Sequence, residues 1–187
     1  MSLTSKEAIL AAARRTAQAH GYNGLNFRDL ADEVGIKAAS MYHHFPSKAD
    51  LGAAVARRYW EDSAAELEAL LAKSSDPLRA LHKYSDTFRR ALKSDNRMCL
   101  CSFMAAEYDD LPEPVKKEVQ TFADVNIAWL GRVLTAAGLV SPEESEQRAR
   151  AIFAAVAGAQ LMARSRSDIS LYDALIDSYR VAGLLPA

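Results

Sequence analysis

Side chains that can bind phosphate oxygens are concentrated between Lys37 and Lys48, in a segment that reads KAASMYHHFPSK. Lysine supplies a cation, and tyrosine, histidine and serine side chains can form hydrogen bonds to phosphate oxygens. Ala38 and Ala39 lie at the start of the segment, and small side chains let a helix backbone approach base edges in a DNA groove. The segment therefore predicts contact with double-stranded DNA.

Two short helices with a tight connection are predicted around this segment. Asn26 can accept a hydrogen bond from the backbone N–H of Asp29, as a residue that begins a helix does. Apolar residues at helical spacing extend from there to Val34, and Gly35 can adopt the left-handed conformation that ends a helix. The buried side of the second helix is predicted to consist of Ile36, Met41 and Phe45.

These residues resemble the DNA-binding signature of the TetR-type one-component repressors. Its three elements are present here as Gly21-Tyr22, Arg28-Asp29-Leu30-Ala31 and Met41-Tyr42-His43-His44-Phe45-Pro46-Ser47-Lys48. Asn26 replaces the usual Ser or Thr and keeps the helix cap. Lys37 replaces the usual Ser or Thr at the start of the second helix, which weakens that cap and adds a cation. The resemblance implies a homodimeric repressor that binds an inverted-repeat operator and is released by a small ligand.

Combined with the exposed side of the second helix, the resemblance gives a set of DNA-contacting residues. Tyr42 and His43 are expected to hold phosphates. The residues expected nearest the bases are Lys37, Ala38 and Ala39. The full predicted set is Asn26, Lys37, Ala38, Ala39, Ser40, Tyr42, His43, His44 and Lys48.

Local signals predict an all-α chain. Ser or Thr followed three residues later by an acid, as in a capping box, occurs at Thr4/Glu7, Ser47/Asp50, Ser141/Glu144 and Ser170/Asp173. The predicted helices cover about 4–20, 27–34, 38–44, 47–73, 76–94, 98–109, 112–137, 142–166 and 170–183. The resemblance implies a three-helix helix-turn-helix domain at 1–50, joined by the long fourth helix to a helical effector-binding and dimerisation domain at 51–187.

Charge is unevenly distributed along the 187 residues, whose net charge is −1. Residues 1–58 contain eight Lys or Arg and five Asp or Glu, a balance of +3, whereas the remainder contains fifteen and nineteen, a balance of −4. The acidic remainder is expected to bind something other than nucleic acid, or another copy of the chain. The chain has two cysteines, no apolar run that could cross a bilayer and no secretion signal, so a cytoplasmic protein without a membrane partner is expected.

The segment 98–108 is the strongest candidate for the wall of a ligand pocket, because it is apolar with a carboxylate and a phenol near its end. A core helix with an exposed terminus explains it equally well. A buried carboxylate would repel an anion, so an uncharged or cationic hydrophobic ligand is expected. The full set of predicted ligand-binding residues is Tyr84, Phe88, Cys99, Phe103, Met104, Glu107, Tyr108, Phe122, Asn126, Trp129, Phe153 and Gln160.

Cys99 and Cys101 are separated by two positions, so on a helix they point to nearly opposite sides. Neither a shared metal ion nor an unstrained disulfide is therefore expected. Cys99, followed by Leu100 and later by Glu107, resembles a stretch of TetR-type members that respond to electrophiles or oxidants through that cysteine. A buried free cysteine otherwise acts as a small hydrophobic residue, and both interpretations stay open.

The last two predicted helices carry small and branched apolar residues that suit close packing between two copies. The predicted interface consists of Ile152, Ala155, Gly158, Ala159, Leu161, Leu175, Ile176 and Tyr179. The alternative is that this stripe packs only within its own subunit.

Catalytic motifs are absent from the sequence. It contains no Gly-x-Ser-x-Gly elbow, no phosphate-binding glycine loop, no His-Glu-x-x-His and no Glu-x-x-His. No enzymatic activity, cofactor or metal is therefore expected. The alternative from a different class is a helical small-molecule carrier that does not bind an operator.

Overall fold

All regular secondary structure in the described residues is helical. A computed structural model describes residues 5–74 and 76–186. This part of the chain contains α1 (Ser5–His20), α2 (Phe27–Val34), α3 (Ala38–His44), α4 (Lys48–Lys73), α5 (Pro77–Lys93), α6 (Leu100–Ala105), α7 (Glu113–Ala136), α8 (Pro142–Ser165) and α9 (Ile169–Val181), with a 3-10 helix at Tyr108–Asp110. The predicted all-α fold is confirmed.

Side-chain caps fix where helices begin. Asn26 Oδ1 accepts from the backbone N–H groups of Arg28 at 2.8 Å and Asp29 at 3.4 Å, as predicted. Because the cap uses Oδ1, a contact between Asn26 and DNA would have to come from its Nδ2 group. The predicted capping box of α8 is also present, since Ser141 and Glu144 each bond the other's backbone N–H.

The cap predicted at Ser170 was wrong. Asp168 caps α9, and its carboxylate accepts from both the backbone N–H and the hydroxyl of Ser170. A charged carboxylate suits the positive end of a helix better than a serine hydroxyl does. Asp173, the acid of the predicted box, instead accepts from Arg89 at 2.6 Å. The start predicted at Thr4 lies outside the described residues.

Helix α6 is much shorter than the predicted helix at 98–109. After it the backbone tightens, because the N–H groups of Ala106 and Glu107 bond back three residues to the carbonyls of Phe103 and Met104. This is 3-10 rather than α pairing, and it leaves Glu107 and Tyr108 outside the helix.

The chain divides into two compact units. The first unit consists of residues up to 61 together with 100–122, and the second consists of 62–99 together with residues from 123 onward. The units therefore interleave in sequence, whereas the predicted domains divide once after residue 50. The functional division into a DNA-binding and an effector-binding part stays a prediction.

Each unit has its own apolar core. In the first unit α1 packs on α2 and α6, and α2 packs on α3. In the second unit α5, α8 and α9 pack on one another. The large buried side chains include Ile9, Leu30, Met41 and Leu51 in the first unit, and Tyr84, Trp129, Leu130 and Tyr172 in the second. No described helix is long and apolar enough to cross a membrane.

Candidate nucleic-acid interface and ligand-binding residues

A left-handed glycine connects α2 to α3. Gly35 has φ 76° and ψ 33°, and the N–H of Ile36 donates to the carbonyl of Ala31 at 3.0 Å. Only glycine adopts this backbone conformation without strain. Leu30 and Met41 are buried on the inner sides of the two helices. The tight turn therefore fixes which face of α3 is left exposed.

That exposed face carries most of the residues predicted to contact DNA. Tyr42 is 59 % exposed, and Lys37 occupies the N-cap position without a side-chain cap hydrogen bond. The predicted residues that are exposed are Asn26, Lys37, Ala38, Ala39, Tyr42 and His43, and those that are half-buried are Ser40, His44 and Lys48. Small residues at one end and hydrogen-bonding groups at the other suit a helix that approaches base edges and holds adjacent phosphates.

A cleft of about 360 Å³ opens beside α3, lined by Leu25, Asn26, Phe27, Arg28, Ala38, Tyr42 and Lys48. The Tyr42 ring packs against Phe27 with ring centroids 4.9 Å apart, which restrains the phenol. Lys48 Nζ donates to the Asn23 carbonyl at 3.1 Å and lies 4.7 Å from the centre of the Tyr22 ring. Ammonium, guanidinium, amide and phenol groups around one cleft can together bind phosphate oxygens.

Glu107, predicted to line a ligand pocket, binds the connection between α1 and α2. Its carboxylate oxygens accept from the backbone N–H groups of Tyr22 at 2.5 Å and Asn23 at 3.1 Å. The Asn23 side chain also donates to Asp110 at 3.2 Å. Because the carboxylate is engaged with backbone groups of the first unit, the ligand site proposed below does not include Glu107.

Four other predicted ligand residues belong to the first unit: Phe103, Met104, Tyr108 and Phe122. Met104 is fully buried, and Phe122 packs against Tyr59 with ring centroids 5.6 Å apart. Tyr108 is 51 % exposed, and the centre of its ring lies 4.4 Å from Lys116 Nζ. Their ligand-binding role stays a prediction.

Sequence reasoning missed a buried acid that joins α4 to α7. Glu118 is 4 % exposed; its Oε1 accepts from Arg57 Nη2 at 2.5 Å, and its Oε2 accepts from Trp60 Nε1 at 2.8 Å. Burial raises the pKa of Glu118, but these hydrogen bonds outweigh burial and hold the pKa below its usual value. No sequence signal distinguished Glu118, because it follows two lysines and resembles part of a solvated face.

Contacts within the second unit link the other seven predicted ligand residues: Tyr84, Phe88, Cys99, Asn126, Trp129, Phe153 and Gln160. The Tyr84 hydroxyl donates to Asn126 Oδ1 at 3.1 Å, and burial raises the pKa of Tyr84 well above its usual value. Gln160 is fully buried and serves the fold, because it accepts from the Cys99 N–H at 2.9 Å and donates to the Phe88 carbonyl at 2.7 Å.

Neither cysteine forms a disulfide, and both are buried. Cys99 precedes α6 and belongs to the second unit, whereas Cys101 lies in α6 and belongs to the first. Within the described residues, no three His, Cys, Asp or Glu side chains form a group that could hold a metal ion.

An open groove of about 690 Å³ lies between α7 and α8, but none of the predicted ligand residues lines it.

The predicted dimer residues fall into two groups. Ile152, Ala159 and Ile176 are at most 3 % exposed, so they belong to the chain's own core, as the alternative interpretation of the stripe requires. The outer face of α8 is different, because Gly158 is exposed and Leu161 is 55 % exposed. The other predicted interface residues are half-buried, namely Ala155, Leu175 and Tyr179.

The tight helix-turn-helix and the exposed face of α3 define a protein of the helix-turn-helix DNA-binding class. Residues 9–55 match the family model described as bacterial regulatory proteins, tetR family. A solved TetR transcriptional regulator from Legionella pneumophila is 34 % identical, covers 94 % of each chain and superposes with a TM-score of 0.88. The chain therefore belongs to the TetR family of transcriptional regulators.

Two further comparisons involve one relative. The HTH-type transcriptional repressor NemR of Escherichia coli K12 is 27 % identical over 179 residues, which cover 91 % of this chain and 90 % of that protein. A crystal structure described as the reduced form of E. coli NemR has a TM-score of 0.82 at 22 % identity, and the alignment covers 94 % of this chain and 95 % of that one. This superposition shows that the chain and NemR have the same fold.

Proposed function

We propose that this protein is a homodimeric repressor that binds an inverted-repeat operator through α3 and is released by a small ligand in its second unit. It would act in the cytoplasm by binding its operator and its ligand, without catalysing a reaction. The observation that carries the proposal is the exposed face of α3, where two alanines adjoin a cationic and hydrogen-bonding cleft. The helical carrier is less well supported, because a carrier has no use for such a face.

DNA binding is tested first on an operator selected from a random DNA pool. Tyr42→Ala should weaken binding to all sequences by about 5-fold per half-site, because a phosphate hydrogen bond is lost. Lys37→Ala should also change the preferred sequence. Tyr108→Ala is the matched control, since this tyrosine is similarly exposed but lies outside the helix-turn-helix. Undiminished binding by Tyr42→Ala, or failure to select any operator, would contradict the proposal.

The proposed dimer surface is the exposed apolar face of α8 and α9. It includes Leu161, Met162 and Val181, which are 55 %, 49 % and 91 % exposed. Gly158→Glu is the best test, because a Cβ atom added there meets no atom within 4 Å in the single chain. We expect this variant to sediment as a monomer and to lose operator affinity. A dimer that persists in both Gly158→Glu and Leu161→Glu would place the interface elsewhere.

A ligand can release DNA only if it binds one arrangement of the protein better than another. The linked residues of the second unit are where we propose that it binds, because they combine an aromatic cluster with a few polar groups, as small-molecule sites do. Two copies of α3 would have to lie about 34–36 Å apart to enter successive major grooves. We propose that the ligand favours a different separation.

A second candidate signal is covalent modification of Cys99. It is supported by the similarity to NemR, for which a reduced form is described, and by the thiol of Cys99, which is not part of a disulfide. N-ethylmaleimide is a suitable probe, because the sulfur bonds to one alkene carbon and the thiol proton is transferred to the other. It should release wild-type and Cys101→Ser protein from the operator but not Cys99→Ser. Equal release of wild-type and Cys99→Ser protein, or release of neither, would leave Cys99 as a core residue.

A further inference from the structure

Four aromatic rings from three helices form a cluster in the second unit. Tyr84 stacks on Trp129 with ring centroids 5.9 Å apart and planes at 18°, and it also contacts Phe88 at 5.8 Å. Phe88 meets the edge of Phe153 at 6.3 Å. Tyr84, Phe88 and Trp129 are at most 4 % exposed, whereas Phe153 is half-buried. A ligand could therefore reach the aromatic cluster most easily beside Phe153.

The indole nitrogen of Trp129 is buried without a hydrogen-bond partner. Among the described residues, it is the only buried side-chain nitrogen or oxygen that lacks one. The polar groups of its neighbours Tyr84 and Asn126, by contrast, are paired, because the Tyr84 hydroxyl donates to Asn126 Oδ1. The indole nitrogen of the other tryptophan, Trp60, is also paired, because it donates to Glu118. An unpaired buried donor is costly, and proteins rarely leave one in a core.

We propose that the effector carries an uncharged hydrogen-bond acceptor, such as a ring carbonyl, that pairs with Trp129 Nε1 while its flat apolar body packs on the aromatic cluster. This inference rests on the proposed effector site in the second unit. Binding would satisfy a donor that the present arrangement leaves unpaired, so the ligand would favour an arrangement in which the cluster opens to admit it.

The chemistry of the cluster selects a neutral ligand. A cation could pack on the faces of the rings, but it would leave the Trp129 N–H unpaired. An anion would accept the hydrogen bond but would lose its hydration among aromatic rings without a compensating charge. The guanidinium of Arg89, the residue that follows Phe88, already donates to both carboxylate oxygens of Asp173 at 2.6 Å. Because Glu107 is engaged elsewhere, the reason for expecting a cationic ligand no longer holds.

Matched probes test the inference on the full-length Trp60→Phe protein, in which Trp129 is the remaining tryptophan. The probe pairs are 1-indanone with indane, 1-tetralone with tetralin, and 9-fluorenone with fluorene, which differ within each pair by the carbonyl oxygen. We expect at least one ketone to bind about 5-fold or more tightly than its hydrocarbon, and to move the indole N–H proton resonance downfield. Trp129→Phe should remove that preference.

The inference would be overturned if all three pairs showed no preference for the ketone, if no probe bound, or if the preference persisted in Trp129→Phe. Should Trp129→Phe fail to fold, the indole resonance of the Trp60→Phe protein decides, because an unmoved resonance overturns the inference by itself. Operator binding by the wild-type protein is measured separately, because Trp60→Phe removes the hydrogen bond to Glu118. Operator binding by the wild type without any ketone preference would refute this inference alone, whereas failure of the wild type to bind any operator would refute the proposed function.

Discussion

Gly21 provides a direct test of how Glu107 is fixed in the first unit. The backbone of Gly21 has φ +69°, and a Cβ atom added there would overlap the Glu107 carboxylate. That carboxylate accepts the N–H groups of Tyr22 and Asn23. Gly21→Ala should therefore have two costs, namely a strained left-handed backbone and the displacement of a hydrogen-bonded carboxylate.

Each cost has a magnitude. Left-handed backbone costs alanine about 1 kcal/mol. The two hydrogen bonds to the carboxylate are worth about 1–2 kcal/mol together, taken low because the site is partly solvated. Gly21→Ala should then lower the free energy of unfolding by about 2–3 kcal/mol. Gly35→Ala is the matched control in the same unit, because its φ is +76° but an added Cβ meets no atom within 4 Å, so only the first cost applies.

Urea unfolding would be measured for the wild type, for Gly21→Ala, Glu107→Ala and Gly35→Ala, and for the Gly21→Ala/Glu107→Ala double variant. All proteins are compared at one concentration, because the stability of a dimer depends on it. In the Glu107→Ala background, Gly21→Ala should cost no more than Gly35→Ala does, which corresponds to a coupling of about 1–2 kcal/mol. Additive effects, or equal costs of the two glycine substitutions in the wild type, would show that Glu107 does not occupy this position.

Three further predictions concern stability, each measured by urea unfolding. The lowered pKa of Glu118 means that its contribution to stability is complete above the unfolded value of 4.5 and is lost as pH falls through the lower folded value. The stability difference between wild type and Glu118→Gln should therefore shrink as pH falls below 4.5, and a constant difference would refute the assigned hydrogen bonds. Ser141→Ala should cost about 1 kcal/mol because the α8 capping box is lost, whereas Ser145→Ala, one turn later, should cost less. Asp173→Asn should cost about 0.5–1 kcal/mol through its pair with Arg89, and an unchanged stability would show that the pair contributes nothing.

The sequence by itself determined the helix-turn-helix. Its bounds were predicted correctly because the signals are local: Asn26 caps α2 from two and three residues away, and Gly35 ends α2 through its own backbone conformation. The exposure of Tyr42 likewise follows from helical spacing once Met41 is buried. The family resemblance rests on the same local residues, so it was also visible in the sequence.

Tertiary structure alone decided which polar residues serve the fold. Glu107 finds its partner Tyr22 85 residues away, and Gln160 bonds to Phe88 72 residues away. Such pairings depend on how helices pack, which helical spacing does not encode, so the sequence could not predict these partners. Ile176 is a similar case, because its apolar stripe suited either a dimer interface or the core. Only the packing of α9 on α5 and α8 shows that Ile176 lies in the core. Local chemistry shapes each helix, whereas the neighbour that each helix face meets is set by the whole chain.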